Sequence, residues 1–545
     1  MLRYNLWTCA VTVTPSWYNR VQSPGDKLTS ESFLKTRGFV GDPFASTNSE
    51  NEESLADYFV PPPYFESVLG SPKSPKSTIV FAPRGSGKTA QRRMIEIASG
   101  QGADFACVTY TNFSEIDPKV ATLADHQRII CRLLAVAALS HLADEPSRAD
   151  SLSDHNKQVL KYASSELLSD LNQQELESAI SSVKSLGDKT AETWRKYGGF
   201  IAAGIAALMS KFGLDGVKLP SELAASGMRE ASTLAYLFPK LIDVFRALGF
   251  DAVYVLVDKL DETSKTGNDP ELAFGLVSPL LLDLTTVEQP GVAFKFFLWD
   301  LLEDPFVENG GRGDRLGVSK LHWTVRELTE MLSRRVAAFS EGRVASFNQL
   351  VEAESDLDVH RLLAYLSPDS PRDMIRMCER IVAEHTRQPD YAALIPERTV
   401  YKGIHEFSKV RSQELFGRFM KDLTRLPEPS FTNTRLASDV FKISTTAVRN
   451  KIVSWIEAGA VEKIGELSRG AKPLHKYALK DPRIAVATAP LTSLGRLLDS
   501  DIFICPSCSA MLITSSPSEP CKECGAETKE SNVRSLIASC LKAVE

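Results

Sequence analysis

The sequence predicts an α/β fold: a core with a parallel sheet and a large helical insertion, followed by a helical lid, a winged helix and a small metal-held ribbon. Three observations predict it. Thr78-Ile79-Val80-Phe81 is a β-branched and aromatic run suited to a buried strand, and it passes through a glycine-rich turn into Gln91–Ala98, which has helical character. Val253-Tyr254-Val255-Leu256-Val257 is a second such strand and ends in Asp258. Ala293–Trp299 is a third and ends in Asp300.

The chain's 545 residues are too many for one compact core, and typical domain sizes predict roughly three or four units. Hydrophobic content of 43% and charged content of 24% are ordinary globular values. A net charge of −6 excludes a protein that binds polyanions with its whole surface, so any nucleic-acid contact must be local. The start, Met1–Cys9, holds one basic residue and no sustained apolar core, unlike a signal peptide, and no run reaches the roughly 18 apolar residues needed to span a bilayer. A cytoplasmic protein without a membrane span is expected. Its nine cysteines are then not disulfides.

Residues 1–37 are mixed and polar with no lasting periodicity, and are expected to be a poorly ordered leader, with the folded core running over 38–323. Two aromatic clusters follow, Gly38–Phe44 and Tyr58–Phe65, whose rings serve core packing or lie under a bound base.

The glycine-rich turn is Ala82-Pro83-Arg84-Gly85-Ser86-Gly87-Lys88-Thr89, with Ala90 next. Gly85 and Gly87 lack a Cβ, so the backbone can take left-handed angles and turn successive N–H groups toward phosphate oxygens. The helix that follows adds its positive end. Lys88 would reach the β- and γ-phosphates, and the Thr89 hydroxyl would fill a coordination position on Mg²⁺. Ala82 replaces the usual first glycine with the smallest side chain, which preserves the backbone path.

Phe105–Tyr110 reads as a further strand. A helical insertion is then expected over about 120–248, with Leu123, Ile130, Leu133, Leu134 and Ala137 at helical spacing and further helices over Asn156–Leu171 and Gln174–Leu186. Gly198–Met209 is its most apolar stretch and too short to cross a bilayer.

Asp258-Lys259-Leu260-Asp261-Glu262 closes the strand Val253–Val257. A carboxylate at the carboxyl edge of a parallel sheet, beside a phosphate loop, can hold Mg²⁺ through its water shell, the role expected of Asp258. A second carboxylate can polarise the attacking water; Glu262 is the first choice and Asp261 the second. The Asp-x-Leu-Asp-Glu arrangement, paired with the phosphate loop, resembles the signal-transduction P-loop ATPases, including the NACHT and KAP branches, and a long helical insert between the motifs is similar to the KAP branch. The resemblance implies ATP as the nucleotide, consistent with the lack of an Asn-Lys-x-Asp motif that would read guanine. Bacterial relatives of such architecture often act in defence against phage.

Further resemblances are to AAA-type and origin-recognition ATPases over roughly residues 38–485. Asp300 stands where a first sensor residue would stand, although Asn, Ser or Thr is usual there. Arg312 and Arg315, in a glycine-rich loop before Leu316–Trp323, occupy the place of an arginine finger or are solvated charges. Over 324–427 the pattern is helical, with Leu328, Met331, Leu332 and Val336 on one face. Ser370-Pro371-Arg372 resembles the second sensor of AAA lids, so Arg372 is expected at the nucleotide phosphates or in a lid salt bridge.

Residues 428–485 have a winged-helix pattern. Asn433–Phe441 and Ser444–Ala458 read as helices, the second burying Val448, Ile452, Trp455 and Ile456 and presenting Thr445, Thr446, Arg449 and Lys451. Lys472–Tyr477 closes a hairpin. The segment Phe431–Arg483 carries ten Lys or Arg and five Asp or Glu, which suits DNA or another nucleic acid, while winged helices also dock proteins. Finally, Cys505-Pro506-Ser507-Cys508 and Cys521-Lys522-Glu523-Cys524, twelve residues apart, give Zn²⁺ four thiolates and no open position, a structural zinc ribbon over 500–530. A C-terminal helix is expected over 531–545.

The residues and these resemblances together imply an ATPase using ATP, Mg²⁺ and Zn²⁺, with Glu262, Asp261 and Lys88 in the reaction and, by resemblance, Arg315 and Arg372. It would be a switch coupling nucleotide state to nucleic-acid or protein recognition, and self-association into a homo-oligomer fits the architecture. The alternative is a DNA-binding regulator whose ATP site is slow or structural.

Overall fold

The computed structural model describes residues 29–542 apart from 103, most of 169–229, 353–355, 389–392, 468–473, 515–516 and 518–519. Five strands, β1 (Thr78–Ala82), β2 (Phe105–Tyr110), β3 (Ala252–Val257), β4 (Val292–Trp299) and β5 (Gly317–Lys320), form one sheet in the order β2-β3-β4-β1-β5. All neighbouring pairs are parallel. The α/β class predicted from the strands is the one observed. β1, β2, β3 and β4 are buried along their length and read as largely apolar runs because helices cover both faces.

One face is covered by the helices Leu123–Asp144 and Glu230–Ala247. Ile130, Leu134, Leu237, Leu241 and Phe245 are buried in the same core as Val253, Val255 and Phe294. The described helices Leu123–Asp144 and Glu230–Ala247 of the insertion thus form one layer of the sandwich. Residues 198–208 of its apolar stretch, and most of Gln174–Leu186, lie outside the described residues. On the other face, Ile95 of the Lys88–Gly100 helix packs with Phe65, Val68, Tyr254 and Phe297.

The expected leader ends too late in the sequence reading. Ser30–Thr36 is a helix closed by a Thr29–Ser32 capping box, and its Phe33 and Leu34 are buried in a second core with Met374, Cys378 and Ile381. Polar neighbours hide this two-residue apolar face from a periodicity search. Residues 1–28 lie outside the described residues.

The helices Val325–Ala338, Pro371–Thr386 and Glu397–Leu423 build that second core. It continues into a three-stranded antiparallel sheet, Ser430–Thr432, Leu474–Leu479 and Val461–Leu467, in that spatial order. Between its first and second strands in sequence lie Asn433–Arg435, a π-helical turn Leu436–Phe441, and the helix Thr445–Glu457. The order is strand, helix, helix, hairpin, over the residues where a winged helix is expected. Ile456 departs from expectation: it is 41% exposed, because Val448, Ile452 and Trp455 complete the buried stripe without it.

The tail also differs. In place of a helix over 531–545 there is a short strand, Arg534–Ser535, paired with Ile502–Ile504, and a single turn, Leu536–Ser539. The chain then fastens to the lid: Leu541 bridges Leu357, and the Asp358 N–H donates to the Cys540 carbonyl at 2.6 Å. No helix among the described residues is long and apolar enough to cross a membrane.

Candidate nucleotide-binding site

Because β4 stands between β1 and β3, the loops after these three strands meet at the carboxyl edge of the sheet, where ligands of open α/β sheets bind. Gly85 and Gly87 have φ of +83° and +103°, in the left-handed region open to glycine. Gly85 has a second reason to lack a side chain: an added Cβ would lie 3.2 Å from Ser370 Oγ and 3.3 Å from Arg372 Cβ. Gly87 caps the thirteen-residue helix Lys88–Gly100, whose free N–H groups face the loop.

Lys88 is buried, and its ammonium donates to the carbonyls of Ala82 at 2.8 Å and Pro83 at 3.1 Å. Burial lowers its pKa, opposed by the negative charges of Asp261, Asp258, Asp300 and Glu262. Burial likewise raises the pKa of Asp300, with Lys88 opposing. Asp300 therefore belongs to the charge environment of the site, as its position after β4 predicts.

Thr89 Oγ1 donates to Asp258 Oδ2 at 2.9 Å, which brings the two sequence motifs together. The other carboxylate oxygen of Asp258 accepts from the Lys259 N–H at 2.9 Å. Arg92, wholly buried, donates from Nε to Asp258 Oδ2 at 3.0 Å and bridges to Glu96 and Glu50. A buried guanidinium needs such partners to offset its desolvation. Arg92 belongs to no motif legible in the sequence. The only signal was its i,i+4 relation to both Lys88 and Glu96, which puts all three on one helical face.

The two candidate bases are separated by their surroundings. Asp261 is buried and paired with Arg84, Nε to Oδ2, at 2.6 Å. Glu262 is exposed, lines the cleft and makes no ion pair with the described residues. Asp261, the second choice, is thereby a counter-ion.

The cleft has a volume of about 360 Å³ and runs from the glycine loop to an apolar end lined by Tyr58, Val60, Met331 and Ile375. Tyr58 and Val60 belong to the second aromatic cluster, so that cluster both packs in the core and walls the cleft. Arg372 lines it from the lid; its N–H approaches the Gly85 carbonyl at 3.4 Å and its guanidinium makes no ion pair with the described residues. The neighbouring Asp373 holds the salt bridges instead. Trp323, also passed over in the sequence, donates from Nε1 to the Ser86 carbonyl at 2.7 Å and from its N–H to Asp369 Oδ1 at 2.7 Å. It bolts the start of the lid to the glycine loop.

Arg312 and Arg315 are not brought to this cleft. Arg315 precedes β5 and pairs with Glu288, which precedes β4, so it lies toward the amino edge of the sheet; Arg312 pairs with Asp314 at 2.6 Å. Lys451 is also diverted from an open recognition face, donating to Asp422 at 2.5 Å. Among the described basic residues of Phe431–Arg483, Arg435, Lys463 and Arg483 are likewise ion-paired, whereas Lys442, Arg449, Lys476 and Lys480 form no ion pair with described residues.

At the other end of the chain, the four sulfurs of Cys505, Cys508, Cys521 and Cys524 lie within 4.8 Å of one another. Cys505 Sγ is 3.7 Å from Cys524 Sγ, and Cys508 Sγ is 3.6 Å from Cys521 Sγ. A tetrahedral Zn²⁺ at its usual Zn–S distance sets sulfurs about 3.8 Å apart, while a disulfide needs about 2.05 Å, so the separations are those of a zinc site and not of bonded sulfurs.

Comparison with known proteins places residues 42–100 in a match to the ORC-CDC6-like family profile, a span that includes the glycine loop and its helix. No curated protein matches the chain. Similar solved structures include Aeropyrum pernix ORC1 in complex with DNA, at 12% identity and a TM-score of 0.34, covering 83% of this chain and 98% of that one. Cdc6p from Pyrobaculum aerophilum is 11% identical with a TM-score of 0.30, covering 84% and 98%. The RuvB Holliday junction branch migration motor of Thermotoga maritima is 12% identical with a TM-score of 0.27, covering 79% and 95%.

Proposed function

We propose that this chain is an ATP-binding and ATP-hydrolysing switch that couples nucleotide state to recognition of nucleic acid. The observation that carries the reading is the 2.9 Å contact between Thr89 Oγ1 and Asp258 Oδ2 beneath the glycine loop. A hydroxyl and a carboxylate so placed fit a Mg²⁺ ion, Thr89 as direct ligand and Asp258 through water. Magnesium would screen the phosphate charge. Lys88 would exchange the carbonyls of Ala82 and Pro83 for phosphate oxygens, Arg372 would reach the phosphates from the lid, and Glu262 would orient and deprotonate the attacking water. The purine would lie against Tyr58, Val60, Met331 and Ile375.

The output would be carried by residues 430–479, with Lys442 and Arg449 meeting phosphates beside the Thr445–Glu457 helix. A second reading, protein docking by that helix, is favoured by the exposure of Ile443, Val453 and Ile456 on or beside it. The four-cysteine cluster would hold a structural zinc.

Titration of ATP with Mg²⁺ into wild-type and Lys88→Ala protein, repeated in the presence of duplex DNA, tests the coupling. The reading expects saturable ATP binding that Lys88→Ala abolishes, and a DNA affinity that differs between the ATP and ADP states. Equal DNA affinity in both states would leave the alternative, a DNA-binding regulator with a structural or very slow ATP site.

A further inference from the structure

Arg84 contributes more than backbone to the glycine loop. Its Nε donates to Asp261 Oδ2 at 2.6 Å, and its Nη2 donates to the carbonyls of Asp261 at 2.5 Å and Gly267 at 2.9 Å. Its Nη1 donates to Asn268 Oδ1. The guanidinium lies over the Trp299 ring, 4.3 Å from the centroid. One side chain therefore fastens the loops that leave β1 and β3 to each other and to the end of β4.

The loop held in this way needs fastening. It opens with Lys259 at φ +66°, a left-handed conformation that non-glycine residues adopt at a cost, and continues as a tight turn, Leu260–Glu262. Thr266 Oγ1 donates to the Leu260 carbonyl at 2.6 Å, closing the loop on itself. Its outer side is held by Lys265, which donates to the carbonyls of Ser114 at 2.6 Å and Ile116 at 2.9 Å. Its inner side, toward the nucleotide cleft, is held by Arg84. Lysine could not replace this fork, since only a guanidinium can serve a carboxylate and several carbonyls at once in one plane.

We propose that Arg84 is a positioning residue: it takes Asp261 as its counter-ion, sets the 260–268 loop over the glycine loop, and so places Glu262 at the cleft as the carboxylate that acts on water. The clamp stands on the geometry alone; its consequence for turnover rests on the ATPase reading above.

Hydrogen–deuterium exchange and steady-state ATP turnover of the full chain, wild type against Arg84→Ala, Arg84→Lys, Asp261→Asn and Arg84→Ala/Asp261→Asn, test both parts. Arg84→Ala is expected to raise amide exchange within 260–268 and to leave the rest of the chain unchanged. It is expected to lower kcat by about 10²-fold, the scale of a reacting group misplaced by an ångström, with little change in KM. Arg84→Lys recovers part of kcat, and the double variant is no slower than the slower single variant, because both act through one contact. Unchanged exchange in 260–268, or a rise spread over the whole chain, overturns the clamp. Single-variant losses that multiply in the double variant also overturn it, and would mean that Arg84 acts on the nucleotide directly. If wild-type protein binds ATP without turning it over, the ATPase reading fails, while the exchange comparison still decides the clamp.

Discussion

Asp373 and Arg483 join the Pro371–Thr386 helix to the segment that leaves the three-stranded antiparallel sheet. Asp373 is completely buried, and its Oδ2 accepts from Arg483 and also from Arg411 Nε at 3.0 Å. Arg483 is held in turn by Asp481, with Nη2 to Oδ2 at 2.6 Å. Since Asp373 follows Arg372, the turn that touches Gly85 is tied directly to the proposed recognition unit.

Removing Asp373 would take away the carboxylate that two arginines share, leaving Arg483 with Asp481 and Arg411 with Glu414. Asp373→Ala is expected to lower stability by about 1.5–3 kcal/mol, the scale of hydrogen bonds to charged groups, because each arginine keeps a second carboxylate. The check is the denaturant midpoint of the variant against wild type. A shift within that of a surface substitution would show that the pair contributes nothing.

Lys295 supplies a pH dependence. It sits in β4 with 1% exposure, donates to the Lys76 carbonyl at 2.8 Å and lies 4.7 Å from the Tyr254 ring centroid. Burial lowers its pKa from 10.5 to about 7. Between those values the unfolded chain binds the proton and the folded chain does not, so stability rises with pH by up to about 1.4 kcal/mol per unit above pH 7 and is flat in this group below it. Denaturation of wild type and Lys295→Met between pH 7 and 10 checks this: the variant should lose the slope and be the more stable at pH 7.

Metal analysis of freshly purified protein should give one zinc per chain, and none for Cys505→Ser/Cys521→Ser. Because the tail beyond the four-cysteine cluster meets Leu357 and Asp358 through Leu541 and Cys540, loss of zinc is expected to increase proteolysis near 356–358 as well as around the cluster. Zinc retained by the double variant would reject the site.

DNA affinity should fall with Arg449→Ala and Lys442→Ala, each reducing the slope of log affinity against log salt by about 1. Lys451→Ala should leave that slope unchanged, because its ammonium already neutralises Asp422. An altered slope for Lys451→Ala, with none for Arg449→Ala, would put the contact on another face.

These cases mark where the sequence was legible. The glycine loop, the acid after β3 and the paired Cys-x-x-Cys motifs were readable because their chemistry depends on residues close in the chain. The α/β core was readable because buried parallel strands are continuous apolar runs. What the sequence hid is contact between distant segments: Arg84 with Asp261, Trp323 with Ser86, Lys451 with Asp422. No local spacing encodes these, and they decide which acid is free and which base is already neutralised. The helix Ser30–Thr36 escaped for a different reason, since two buried side chains are too few to establish a period.

The most direct test of the account is steady-state ATP turnover by Glu262→Gln, with ATP binding measured on the same preparation. The account predicts that bound ATP is retained while turnover falls by about 10²–10⁴-fold, the contribution of a positioned general base. Turnover equal to that of wild type would contradict it.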